Sequence, residues 1–314
     1  MNFWIKCWLT VTISIFLLLN ILTFVAIQEG APYRFTSSLS YDAKLTFIRK
    51  KMLSGEFDQV DTIIIGSSMG LNNINSQPIE ELSDKVHNVL NMSSWGLNTN
   101  DTLELLTSID LANIQHVIYI AQYDDFTTNG NTLRFGQDMD SIKDFWAGEN
   151  IIEPYFQLLK ILPLKLKRYL SWKKYYADES QYRNLAFNNS GDVGLDIKGK
   201  GINTSRYNTF PFPVHLSDKK YIPLIDMNDY LKTKGIPLIV VRTPYRLPLL
   251  IANENLTTVF TSFRKKVDTL AQEEGFVFID VHNELKLTDT YFVDKSHLNK
   301  EGAMLISQFI ASKL

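Results

Sequence analysis

Five short, nearly continuous apolar runs constrain this chain more than any other feature, at residues 60–66, 86–91, 116–121, 236–241 and 276–280. They include Ile63-Ile64-Ile65, Val117-Ile118-Tyr119-Ile120 and Leu238-Ile239-Val240-Val241. A strand with one wet face alternates apolar and polar residues, whereas continuous runs suit parallel strands covered on both faces. Between the runs lie amphipathic segments whose spacing predicts helices over about 99–113, 217–234, 255–274 and 299–313. In the third, Leu256, Val259, Phe260, Phe263, Val267 and Leu270 recur at helical spacing, which marks a core-facing stripe. An earlier helix is expected over about 41–54, ending near Gly55. Strands alternating with helices describe a doubly wound α/β domain.

The alternation breaks between about 127 and 215, where Asn, Gly, Tyr and Trp are frequent and a helix is expected over 153–175. Insertions at the carboxyl ends of parallel strands shape substrate pockets, so this block reads as a cap. Within it Lys160, Lys165, Lys167, Arg168, Lys173 and Lys174 occur with no acidic residue between Glu153 and Asp178. Such a stretch suits anionic lipid headgroups, an acidic polymer, or a solvated helix packed by its apolar side.

Ahead of the domain, Trp8 to Ile27 carries no charge, and 20 residues of helix reach about 30 Å, the hydrocarbon thickness of a bilayer. No small-residue cleavage site follows, so an uncleaved membrane anchor over 1–28 is expected. Residues 29–59 then form a juxtamembrane linker and helix, and 60–314 the catalytic domain. Lys6 on the short side favours a cytoplasmic amino terminus and an outward-facing domain, although Arg34 and Lys44 follow on the other side. A net charge of −2 gives no attraction to nucleic acid. The single cysteine, Cys7, precludes an intrachain disulfide and any four-cysteine zinc site. No metal or cofactor is expected.

The chemistry concentrates at the ends of the runs. The first stops at Gly66-Ser67-Ser68, a sharp turn that would expose a serine beside helix N-terminal amides. The Gly-x-Ser pattern favours Ser68 over Ser67 as nucleophile. The second run leads into Asn91-Met92-Ser93-Ser94-Trp95-Gly96, and the third into Gln122-Tyr123-Asp124-Asp125. Gln122 is a candidate oxyanion donor, while Asp124 and Asp125 suit capping of the next turn. Near the end, Asp294-x-x-His297 sets a carboxylate and an imidazole within reach of each other. The Asp would fix the tautomer of a His that takes the serine proton. His87, His116, His215 and His282 lack such a setting. After the fourth run, Arg242 and Arg246 are candidates for meeting an anionic substrate, or for surface and salt-bridge roles.

Gly66-Ser67-Ser68, Gly96, the segment around Gln122 and Asp294-x-x-His297 resemble, in order, the four blocks of the SGNH (GDSL-like) hydrolase superfamily, over about residues 60–314. The first block reads Gly-Ser-Ser in place of Gly-Asp-Ser. In this it is similar to membrane-anchored relatives that act in envelope polymer acylation, the DltD-like and alginate-acetylation proteins. The third block departs from the usual Gly-x-Asn-Asp. The resemblance implies a three-layer α/β/α fold with a flavodoxin-like five-stranded sheet. It implies Ser68 as nucleophile, His297 as base, Asp294 as orienting acid, and an oxyanion hole from the Ser68 and Gly96 amides. Function is then expected to be that of a serine esterase or O-acyltransferase, O-acetyl in type. The expected setting is the cytoplasmic membrane, with an envelope polysaccharide or other glycan as substrate and a multispanning membrane acyltransferase as candidate partner. The alternative is an inactive glycan-binding or assembly protein of the same fold.

Overall fold

The computed structural model describes residues 3–28, 38–127, 142–143, 146, 180–208 and 215–314. The helix expected over 153–175 and its lysines lie outside the described residues, as do most of the cap and the linker at 29–37. An amino-terminal helix, α1 (Phe3–Gln28), contains a stretch Phe3–Leu22 of mean hydropathy 2.0 with none of its most apolar window buried. By length and composition it is apolar enough to cross a membrane. Within Trp8–Ile27 the one strongly polar interruption, Asn20, donates to the Phe16 carbonyl at 2.7 Å, a bond that lies inside the helix.

Among the described residues the strands β1 (Thr62–Gly66), β2 (Val89–Asn91), β3 (His116–Ala121), β4 (Leu238–Arg242) and β5 (Val277–Asp280) form one sheet. Every pairing is parallel, in the order β2-β1-β3-β4-β5. Ile63 and Ile65 enter one apolar cluster and Ile64 the other, so β1 is covered on both faces. The first layer holds α2 (Leu39–Leu53), α5 (Thr99–Thr107), α7 (Ile222–Thr233) and α9 (Glu254–Glu274). Opposite them pack α3 (Ser68–Asn72), α4 (Ser76–Leu82) and α11 (Lys300–Ala311). The shorter helices α6 (Thr204–Asn208), α8 (Leu247–Ile251) and α10 (Val281–Glu284) complete the set named here. The chain is therefore a three-layer α/β/α protein.

Local chemistry sets the boundaries. Asn253 caps α9 by accepting from the Leu256 amide at 3.0 Å, and Gly275, at φ +74°, ends it. That helix buries Leu256, Phe260, Phe263, Val267 and Leu270, each contributing roughly 1.5–3 kcal/mol. The helix predicted to reach 113 stops at Thr107. Ser108 Oγ turns back onto the Leu105 carbonyl at 2.6 Å, and the Asp110 carboxylate takes the Ala112 amide, so side chains compete with the helical ladder. The one predicted from 217 begins at Ile222, with Pro223 in its first turn and a 3-10 turn at Asp218–Lys220 ahead of it.

Candidate active site

Register brings the functional segments to one edge. Gly66 pairs with Ile120, Ile64 with Asn91, Ala121 with Arg242 and Arg242 with Asp280, so the carboxyl ends of all five strands lie side by side. The strand order reverses between β1 and β3, the position where ligands enter open α/β sheets. Ser68 follows β1 there. A side chain at Gly66 would bring its Cβ within 2.6 Å of the Ile120 carbonyl oxygen, so only glycine lets β1 press against β3 before turning. Ser67 then caps α3, its buried hydroxyl accepting from the Met69 amide at 3.4 Å. The two serines thus divide the work: Ser67 serves the turn, and Ser68 is left for another partner.

That partner is His297, whose Nε2 lies 2.9 Å from Ser68 Oγ. The other ring nitrogen, Nδ1, lies 2.8 Å from Asp294 Oδ2 and 3.0 Å from Oδ1. Asp294 is 2% exposed and also accepts the Ser296 and His297 amides at 2.9 and 2.7 Å. Burial by itself would raise its pKa. The charge of His297 and the hydrogen bonds from its ring and from both amides outweigh that and hold the carboxyl well below the usual range. An ionised Asp294 assigns the imidazole proton to Nδ1, leaving Nε2 as acceptor for the serine hydroxyl. Asn73 locks the two ends together: its buried amide donates to the Ser296 carbonyl and accepts from the Leu298 amide, both at 2.8 Å.

Beside this chain of hydrogen bonds runs the loop after β2. The Ser94 amide donates to the Gly66 carbonyl at 3.1 Å, and Asn91 bridges to the Gly70 carbonyl at 2.7 Å and to Asp192 at 2.8 Å. Gly96, at φ +79°, turns at the end of that loop. Gln122 has a different allegiance. Its side-chain amide donates to Asp125 Oδ1 at 3.1 Å in a capping box at the start of a 3-10 turn, so it is engaged by its own loop. Asp125 also accepts from Tyr119 Oη at 2.9 Å, and burial pushes its carboxyl up to about 7.

The two arginines named as candidates for an anionic substrate are both buried in ion pairs. Arg242 is 2% exposed, donates to Asp280 Oδ2 at 3.1 Å and stacks 3.9 Å from the centre of the Phe260 ring. Arg246 is buried against the Tyr207 ring, donates to the Tyr207 carbonyl at 2.7 Å and pairs with Asp289 at 2.8 Å. Both hold loops together, which is the salt-bridge role of the two readings open to them. The cation that does reach the site is Arg206, whose Nη2 lies 3.3 Å from Asp294 Oδ2. No sequence signal marks it, because it comes from the far end of the insertion. Asn73 likewise follows Ser68 by five residues with no motif around it. Among the described residues no cluster of three or more His, Cys, Asp or Glu could hold a metal.

No protein-family model and no curated protein matches the sequence. Solved structures similar to the chain include one from Desulfitobacterium hafniense DCB-2 named for the G-D-S-L lipolytic family. It is 12% identical, covers 81% of this chain and 99% of its own, and has a TM-score of 0.42. Another, from Bacteroides fragilis NCTC 9343 and named as an acylhydrolase, is 11% identical over 81% and 85% with a TM-score of 0.40. At such distances function has to be read from this chain's own geometry.

Proposed function

We propose that the chain is a serine acyl-transfer enzyme of the SGNH type. Ser68 is its nucleophile, His297 its general base and acid, and Asp294 the group that orients the imidazole. One observation carries the reading: Ser68 Oγ, His297 and Asp294 form an unbroken chain with links of 2.9 and 2.8 Å at the carboxyl edge of a parallel sheet. In the reaction, His297 Nε2 takes the Ser68 proton as Oγ attacks an ester carbonyl. The tetrahedral oxyanion is met by backbone amides, for which the Ser68 turn and the Gly96 loop are the donors in reach of this edge. Collapse releases the alcohol with the proton returned by His297 and leaves an acyl-Ser68 ester. Water or a sugar hydroxyl, activated by the same imidazole, then accepts the acyl group.

The finer reading is a membrane-anchored esterase or O-acetyltransferase facing outward from the cytoplasmic membrane. Its substrate is an envelope glycan, and a multispanning acyltransferase is its partner. The apolar Phe3–Leu22 stretch supports the anchor, and the Gly-Ser-Ser first block supports the acylation branch. A fluorophosphonate probe on the full-length protein in detergent tests the nucleophile. Labelling of wild type that disappears in Ser68→Ala is expected; absent labelling, or equal labelling of both, overturns the assignment. Acetyl-ester turnover with and without a glycan acceptor separates hydrolysis from transfer.

A further inference from the structure

Asp294 is shared. Its Oδ2 lies 2.8 Å from His297 Nδ1 and 3.3 Å from Arg206 Nη2, so one carboxylate oxygen faces an imidazole and a guanidinium together. Arg206 sits on α6, and its guanidinium carbon stands 4.3 Å from the centre of the Tyr182 ring. Tyr182 is itself fixed: its hydroxyl donates to the Val293 carbonyl, one residue before Asp294, and accepts the Asn203 amide at 3.3 Å. The cation is thus aimed by an aromatic platform tied to the loop that carries Asp294 and His297. A surface ion pair without such a platform contributes little.

We infer that Arg206 is a positioning residue for the Asp294–His297 pair, holding the carboxylate from a second element and setting the proton balance between them. This rests on the serine-enzyme reading. The sign follows from charge. A carboxylate shared with a guanidinium attracts the imidazolium less, and the guanidinium repels it directly. Arg206 therefore favours the neutral imidazole that serves as base, and keeps the acidic limb of the pH–rate profile at lower pH than it would otherwise occupy. Among the described residues the ionisable groups coupled to the pair include Asp124 after β3, itself coupled to Lys295 of the His297 loop, Tyr182 beside Arg206, and Tyr245 from the loop after β4. Asp124 opposes Arg206 in sign. Its burial raises its pKa, and His297 and Lys295 pull the other way, so the Arg206 contribution is measured against that background.

The side chain of Arg206 is 46% exposed, so screening limits the effect to about half to one pH unit. The test compares wild type, Arg206→Gln and Arg206→Lys by the pH dependence of Ser68-dependent probe labelling. The acidic limb is expected to move up by about half to one unit in Arg206→Gln, to stay near wild type in Arg206→Lys, and to shift less in 1 M salt. Three results overturn the inference: coincident limbs, a Lys variant that shifts as far as the Gln variant, or a uniform rate loss with no movement of the limb. The last two would make Arg206 a packing residue. Should wild type fail to label, the enzyme reading falls by itself. NMR titration of the His297 ring in Ser68→Ala, with and without Arg206→Gln, still decides the proton balance: a ring titration unchanged by Arg206→Gln overturns it.

Discussion

Lys44 offers the sharpest quantitative test of the scaffold behind the site. It lies on α2, is 0% exposed, and donates from Nζ to the carbonyls of Asn91 and Gly191 at 2.7 and 2.6 Å. The Phe187 and Phe47 rings stand 4.2 and 5.4 Å away. Burial pushes the ammonium down from 10.5 to about 7, against the pull of the nearby Asp192 carboxylate. Between those two values the unfolded chain holds a proton that the folded chain has released. Stability therefore rises with pH across that window, by up to 1.36 kcal/mol per unit. From pH 7, where folded Lys44 is half titrated, to pH 9 the gain works out at roughly 2 kcal/mol. Lys44→Met keeps the stem and removes the titration. Urea unfolding of full-length wild type and Lys44→Met in detergent should show the stability difference between them moving by that amount in favour of wild type from pH 7 to 9. Parallel curves, within about 0.5 kcal/mol, would mean Lys44 keeps its charge throughout and would refute the burial argument.

Three further outcomes follow from particular contacts. Asp294→Asn replaces the oxygen that fixes the Nδ1–H tautomer of His297, so ester turnover should fall by about 10⁴-fold; a loss under tenfold removes Asp294 from the orienting role. Arg242→Met takes one partner from a buried pair in which Asp280 keeps Arg264 and Asn283 at 3.0 and 2.7 Å. Thermal or urea unfolding should show a loss of about 3 kcal/mol with KM unchanged, whereas a raised KM without destabilisation would put Arg242 on the substrate. His282 accepts the Tyr245 amide at 3.2 Å, and burial with the Arg242 charge pushes its pKa down to about 3. The unfolded imidazole takes a proton that the folded one refuses, so stability falls as pH drops from about 6.5 toward 3. Relative to His282→Asn, wild type should lose roughly 2 kcal/mol between pH 7 and 5 in urea melts; superimposable pH profiles would contradict this.

Strands β1, β3 and β4 and the helix α9 were legible because their signal is periodic and local: continuous isoleucines and valines for covered strands, a 3.6-residue stripe for the helix. Ser68, Asp294 and His297 were legible for a related reason. Each stands at a turn whose residues lie within a few positions of one another, and the pair at 294 and 297 closes on itself within one loop. What the sequence hid is long-range pairing. Nothing at Arg242 or Arg246 announces Asp280 or Asp289, which lie 38 and 43 residues on. Gln122 read as a free donor because its partner Asp125, although close by, acts through a capping geometry that composition does not reveal. Asn73 bridges 223 residues to the Ser296 carbonyl, and a polar residue used once carries no period.

The described part of the insertion, 180–208, bears on what kind of device this site is. A removable cap would touch the site from above and leave the loops beneath it complete. This segment instead supplies bonds to the loops after β1 and β2 and to the His297 loop. The Ser190 carbonyl accepts the Asn91 amide at 2.7 Å, and the Gly191 carbonyl takes Lys44. The Asp192 carboxylate accepts the Ser76 amide and hydroxyl and the Asn91 side chain at 2.7–2.9 Å. The Val193 amide donates to the Leu71 carbonyl and its carbonyl accepts from the Asn72 side chain, both at 3.0 Å, on the short helix that Ser68 begins. Further on, the Leu195 carbonyl receives the Lys300 amide at 3.0 Å, Tyr182 holds Val293, and Arg206 holds Asp294. Buried polar groups left without these partners would each cost about 1–3 kcal/mol, so the nucleophile turn, the Gly96 loop and the His297 loop share one strap. Geometry at Ser68 and geometry at His297 are consequently set by the same stretch of chain, which ties the spacing of the two reactive side chains to the packing of residues more than a hundred positions from Ser68 along the sequence.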